Sequence, residues 1–175
     1  MKRFLWVAVP LLAVVVGAGL YWFEPWRLVT NTTVNESLAP SASSEAESPA
    51  TASTPSAPSA PVVVLRGAFV THEHETKGDV RVVRHPDGRH TLELVDLDTS
   101  DGPDLRVWLS DQPVREGTSG WRVFDDGRWV ELGKLKGNRG NQVYEIPADA
   151  DLTALRSVAI WCKRFSVSFG AAALT

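Results

Sequence analysis

The chemistry this chain can offer is carried by few side chains. Near the C-terminus, "VAIWCKRFSVSFG" holds Cys162, the only cysteine in 175 residues. One thiol cannot cycle through an intramolecular disulfide. It can pass through a sulfenic acid, form a mixed disulfide with a partner, or ligate copper or haem iron as a thiolate. Lys163 and Arg164 follow it directly, and a nearby cation lowers a thiol pKa. The strand it ends points the other way. "SVAIWC" sets Val158, Ile160 and Cys162 on one face and Ala159 and Trp161 on the other, the pattern of a strand covered on both sides. A cysteine in such a strand is a small buried hydrophobe with a raised pKa and an inert thiol. The residues alone leave both readings open.

The second group is "THEHET", residues 71–76. On a strand, His72 and His74 share one face, with Glu73 and Glu75 opposite. Such a pair suits copper or zinc, and Cys162 brought to both imidazoles makes a His₂Cys copper centre. Two ligands are too few for a site, so an exposed edge is the plainer expectation. The third is "DLDTSDGPDL", with Asp96, Asp98, Asp101 and Asp104 close together. Oxygen ligation of calcium and ordinary turn formation compete there, and the turn is favoured because Asp bonds its own backbone. "LKGNRGN" has glycines for a tight loop, yet no helix follows to make a phosphate cradle. Neither a Ser-His-Asp order nor H-E-x-x-H is present to support hydrolysis. Net charge is -3, which excludes a global field for nucleic acid.

These groups must be positioned by short alternating runs from about Val62 to Thr175. "DVRVVR" (79–84) turns through "HPDGR" into "HTLELVDL" (90–97), and "DLRVWLS" (104–110) follows. "WRVF" and "RWVEL" flank the "DDG" turn at 125–127 as a hairpin. "NQVYEIP" (141–147) is a further strand, and "RFSVSFG" alternates Phe165, Val167 and Phe169 against polar residues as a half-buried strand. A short helix is expected at 149–156, capped by Asp149 or Asp151. Eight or nine short strands imply an all-β antiparallel sandwich or barrel-like domain.

Ahead of the domain, residues 4–23 carry no charge. Twenty apolar residues span a hydrocarbon core as a helix, and the flank "LYWFEPW" is aromatic rather than the small residues of a cleaved signal. Lys2 and Arg3 place residues 1–3 in the cytoplasm and everything after Glu24 outside. The expectation is a single-pass cell-membrane anchor at 4–23, a disordered linker at 24–61 and the β domain at 62–175. Within the linker, residues 30–61 lack aromatics, Lys and Arg and read as a solvated tether. Asn31 and Asn35 lie in glycosylation sequons of little weight.

Five ordered motifs carry a resemblance: Gly67-x-Phe69, His74-x-x-x-Gly78-x-Val80, "GPDL" at 102–105, "LGKLKGNRGNQVYEIP" at 132–147 and "VAIWCKRFSVSFGAAAL" at 158–174. Together they resemble the DM-thirteen domain family, an extracellular module found beside DOMON domains and in bacterial membrane-anchored proteins. The resemblance implies a β-sandwich with an electron-transfer role centred on Cys162. It places His74 at the family's histidine, whereas His72 is peculiar to this chain, and it makes Asp104 an orienting residue. The expected function is electron transfer or thiol redox with an extracytoplasmic partner. The alternatives are an adhesion module with a packed Cys162, and a metal-binding domain.

Overall fold

The computed structural model describes residues 2–40 and 60–175. A 22-residue helix α1, Lys2–Phe23, leads into a 3₁₀ turn at Pro25–Val29. Nine strands follow: β1 Thr33–Asn35, β2 Val62–Thr71, β3 Lys77–Arg84, β4 His90–Asp98, β5 Leu105–Ser110, β6 Trp129–Lys134, β7 Arg139–Ile146, β8 Ser157–Cys162 and β9 Val167–Ala173. They form one sheet in the order β1-β7-β4-β3-β2-β9-β8-β5-β6. All neighbours are antiparallel except β1 and β7. The expected all-β class is therefore seen, as one curled sheet or half-barrel.

The curl is made at β2. Residues from Val62 to Ala68 pair with β3, while Phe69, Val70 and Thr71 pair with β9. A register shift between Val63 and Leu65 bends the strand, as a bulge does. Gly67 marks the corner, because a β-carbon there would sit 2.1 Å from the Ala173 carbonyl oxygen. Curling brings the two halves face to face. Val80, Leu92, Leu94 and Tyr144 from one half meet Val107, Ile160, Val167 and Ala172 from the other in the main core. A smaller cluster covers the outer face with Trp108, Phe124, Ala159, Trp161 and Ala171. β8 lies between the two clusters, which is why "SVAIWC" is apolar on both sides and wholly buried.

Several local expectations are corrected. "WRVF" is not a strand: β6 pairs with β5 instead. Residues 121–124 cross the outer face and plug fully buried Phe124 into the smaller cluster. The 149–156 stretch forms turns rather than a helix, although Asp151 does cap one, accepting from the Thr153 amide at 3.0 Å. "RFSVSFG" begins as a turn with Ser166 at φ 48°, and in β9 Ser168 is as buried as Val167. Alternation there reflects two covered faces, not one.

The linker expectation is also corrected over its first part. β1 adds to the sheet edge beside β7, with Thr33 opposite Arg139. Glu36 bonds Lys136 Nζ at 2.8 Å and the Val143 amide at 2.7 Å, and buried Glu93 accepts from the Ala39 amide at 2.8 Å. Buried Asn138 accepts from the Thr32 amide at 2.7 Å and donates to Asn31 Oδ1 at 2.8 Å. The lack of aromatic and basic side chains does not free this segment, because its backbone finds partners on an open strand edge and Val34 and Leu38 are partly buried against the domain. Residues 41–59 of the expected tether lie outside the described residues. Among the described residues, no helix is long and apolar enough to cross a membrane.

Candidate functional site

Cys162 ends β8, opposite Leu105 of β5 and Val167 of β9. Its exposure is 0%, within the main core beside Leu105, Val107 and Phe169. The chain then reverses in a tight turn, with the Phe165 amide donating to the Cys162 carbonyl at 3.3 Å. Burial pushes the thiol pKa up from its ordinary value. The main-chain N–H dipoles of Phe165, Arg164 and Asp104 pull the other way, and the charge of Glu73 adds to the upward shift. The upward push wins, so the group is a neutral thiol at neutral pH.

The expected activation by Lys163 and Arg164 is not what the structure shows. Lys163 Nζ meets Glu131 at 3.2 Å, and Arg164 meets the Trp22 carbonyl at 2.6 Å and Glu24 at 3.4 Å. Both side chains follow the turn outward to solvent while the sulfur faces inward. Sequence adjacency therefore does not become electrostatic contact.

The histidine pair separates as well. β2 ends at Thr71, so His72 and His74 sit on a bend rather than a strand. His72 is buried, stacked on Phe124 at 5.9 Å. Its Nδ1 bonds Ser168 Oγ at 2.9 Å and its Nε2 the Arg115 carbonyl at 3.0 Å. Both ring nitrogens are engaged. His74 instead lies against Phe169 at 4.0 Å, with Nε2 3.9 Å from Glu73. Phe124 and Phe169 belong to opposite faces of the sheet, so the imidazoles do not converge. Burial lowers the pKa of each from the usual histidine value. Among the described residues, no group of three or more His, Cys, Asp or Glu side chains is placed to hold a metal ion, and neither copper nor haem finds a ligand set in the residues first considered for it.

Asp104 is brought to the cysteine through its backbone. Its carbonyl accepts from the Lys163 amide at 2.9 Å, while its carboxylate bonds Arg106 at 2.7 Å. The neighbouring acids disperse: Asp98 pairs with Arg139 at 3.1 Å and Asp101 caps Gly102 at 2.8 Å. Sequence reasoning missed Glu131, whose carboxylate gathers Arg106 at 2.8 Å, Lys163 at 3.2 Å and the Trp108 indole N–H at 3.3 Å. It also missed Ser168 and the stacking of Trp129 on Trp108 at 4.0 Å. Pairing of β5 with β6 sets Glu131 and Trp129 beside Trp108, and no local spacing encodes it.

Fold and site define an all-β module with one sealed thiol. A family model described as "Electron transfer DM13" matches residues 68–174. The chain belongs to that family. No curated protein and no solved structure matches it.

Proposed function

We propose that this is an electron-transfer domain held at the outer face of a membrane through the uncharged stretch at residues 4–23, with Cys162 exchanging electrons through the protein rather than groups with solvent. The family supports the electron-transfer role. The absence of charge over residues 4–23 of the sequence, flanked by Lys2 and Arg3, supports the anchor. The observation that carries the finer reading is the sulfur itself. A sealed, neutral thiol cannot attack a disulfide, since the thiolate is the nucleophile.

A redox titration of the full chain in detergent tests this. The wild type should show a couple that Cys162→Ser removes while the circular dichroism of the domain is kept. An unchanged titration in a folded Cys162→Ser protein refutes the role of the thiol. The 0% exposure of Cys162 favours a second reading, a binding or adhesion module in which the cysteine only packs. That reading requires Cys162→Ala to alter stability alone.

A further inference from the structure

The outer face of β6, β5 and β8 carries three indoles in a row. Trp129 is 41% exposed, while Trp108 and Trp161 are buried. Trp129 lies on Trp108 with centroids 4.0 Å apart and 2° between planes, and Trp108 stacks on Trp161 at 5.1 Å and 25°. The register sets this up: Trp108 is opposite Glu131 and Ala159, so Trp129 and Trp161 are its diagonal neighbours, within reach of large aromatic rings. The row begins in solvent and ends at the residue beside Cys162.

The 4.0 Å centroid spacing with parallel planes is an offset stack, an arrangement aromatic pairs favour. It also gives the two indoles π overlap, on which electron exchange between rings depends. The one carboxylate bonded to the row is also well placed. Glu131 accepts from Trp108 Nε1 at 3.3 Å, and a negative charge at the ring edge stabilises a positive charge on the ring.

We propose that Trp129, Trp108 and Trp161 form an electron-exit path whose port is the exposed face of Trp129. The partner is a protein carrying a one-electron, metal-centred oxidant. Its oxidised metal takes one electron from Trp129 and is reduced by one, leaving an indole cation radical. Trp108 fills that vacancy with one electron, and Trp161 fills the vacancy on Trp108. The indole protons stay on nitrogen, and one positive charge has moved from the surface to Trp161. The path rests on the electron-transfer reading above but not on Cys162 as the donor.

The test uses the full chain in detergent with Trp6, Trp22, Trp26 and Trp121 replaced by Phe, so that Trp108, Trp129 and Trp161 are the remaining indoles, and photogenerated ruthenium(III) polypyridyl as the oxidant. Transient absorption reads the tryptophanyl radical. Trp129→Phe, a substitution at a solvent-facing ring that leaves the fold intact, should remove most of the signal. Glu131→Gln should lower the yield severalfold, because Arg106 and Lys163 then face the ring without the carboxylate. Trp161→Phe should shorten the radical's lifetime by keeping the vacancy near the reduced ruthenium. A yield unchanged in Trp129→Phe, or a lifetime unchanged in Trp161→Phe, overturns the path. Each outcome is separable from the thiol reading. A Trp129-dependent radical without a Cys162 couple removes only the thiol role, and a Cys162 couple with a Trp129-independent radical removes only the path.

Discussion

The native thiol should be almost unreactive towards small alkylating agents. Cys162 is 0% exposed, on a strand paired along its whole length with β5 and β9 and covered on both faces. The sulfur is sealed in the native fold, so a reagent waits for the half-barrel to open. A domain of this size opens globally at a cost of about 5–15 kcal/mol. Each ~1.4 kcal/mol is tenfold in an equilibrium constant, so even the lower bound slows labelling by about 10³-fold to 10⁴-fold. The raised pKa does not add to this where labelling passes through the unfolded chain, because the thiol then has its ordinary value. The assay is iodoacetamide labelling followed by mass spectrometry, with the peptide "WCKRF" as the unprotected reference. Urea should raise the rate exponentially, with the slope of equilibrium unfolding, about 1–3 kcal/mol per molar. Native labelling within about tenfold of the peptide would mean a low-cost local opening and would refute the sealed site.

Other expected outcomes follow from the same contacts. Phe124→Ala empties the centre of the outer cluster and should cost about 3–5 kcal/mol, read as a lowered urea midpoint; a loss below about 1 kcal/mol would contradict the packing described. Asn138→Ala leaves the Thr32 amide and the Thr99 carbonyl without their side-chain partner, at a cost of about 1–3 kcal/mol. Hydrogen exchange should then rise at Thr33–Asn35 while β4 keeps its protection. His72 has a lowered pKa from burial, so the unfolded chain takes up the proton first as pH falls. Stability from His72 is present above its ordinary value of about 6.5 and is lost as pH drops through that value towards the folded one. His72→Gln should flatten the fall in melting temperature over that range, leaving the smaller slope due to His74, whose pKa is also lowered. Cys162 has the opposite consequence: its folded pKa is raised, so stability falls as pH climbs through about 9.0, and Cys162→Ser should remove that part of the alkaline loss.

Much of the sheet was legible because its strands report their own burial. "DVRVVR", "HTLELVDL" and "DLRVWLS" alternate or run apolar as strands do, and β3, β4 and β5 lie on them. "WRVF" has the same local texture and no strand partner, since β5 takes β6 on that side and β8 on the other. Its Phe124 is buried by tertiary covering instead of by a ladder. "THEHET" fails for a related reason. Period-two reasoning holds only while the chain stays in a strand, and β2 stops at Thr71. The docking of residues 31–39 was illegible because its contacts are main-chain groups and short polar side chains, meeting residues about a hundred positions away.

From the sequence alone came the all-β class, the extent of the family motifs, the single thiol and the uncharged stretch at 4–23. Each is a property of composition or of near-neighbour order, which a strand or helix turns into burial by its own period. The tertiary structure decided which faces meet. It turned Lys163 and Arg164 away from the sulfur, parted His72 from His74, aligned Trp129, Trp108 and Trp161, and gathered three donors on Glu131. Those outcomes depend on how far one sheet curls and which strands it sets side by side, and the free energy behind them belongs to contacts between segments far apart in the chain.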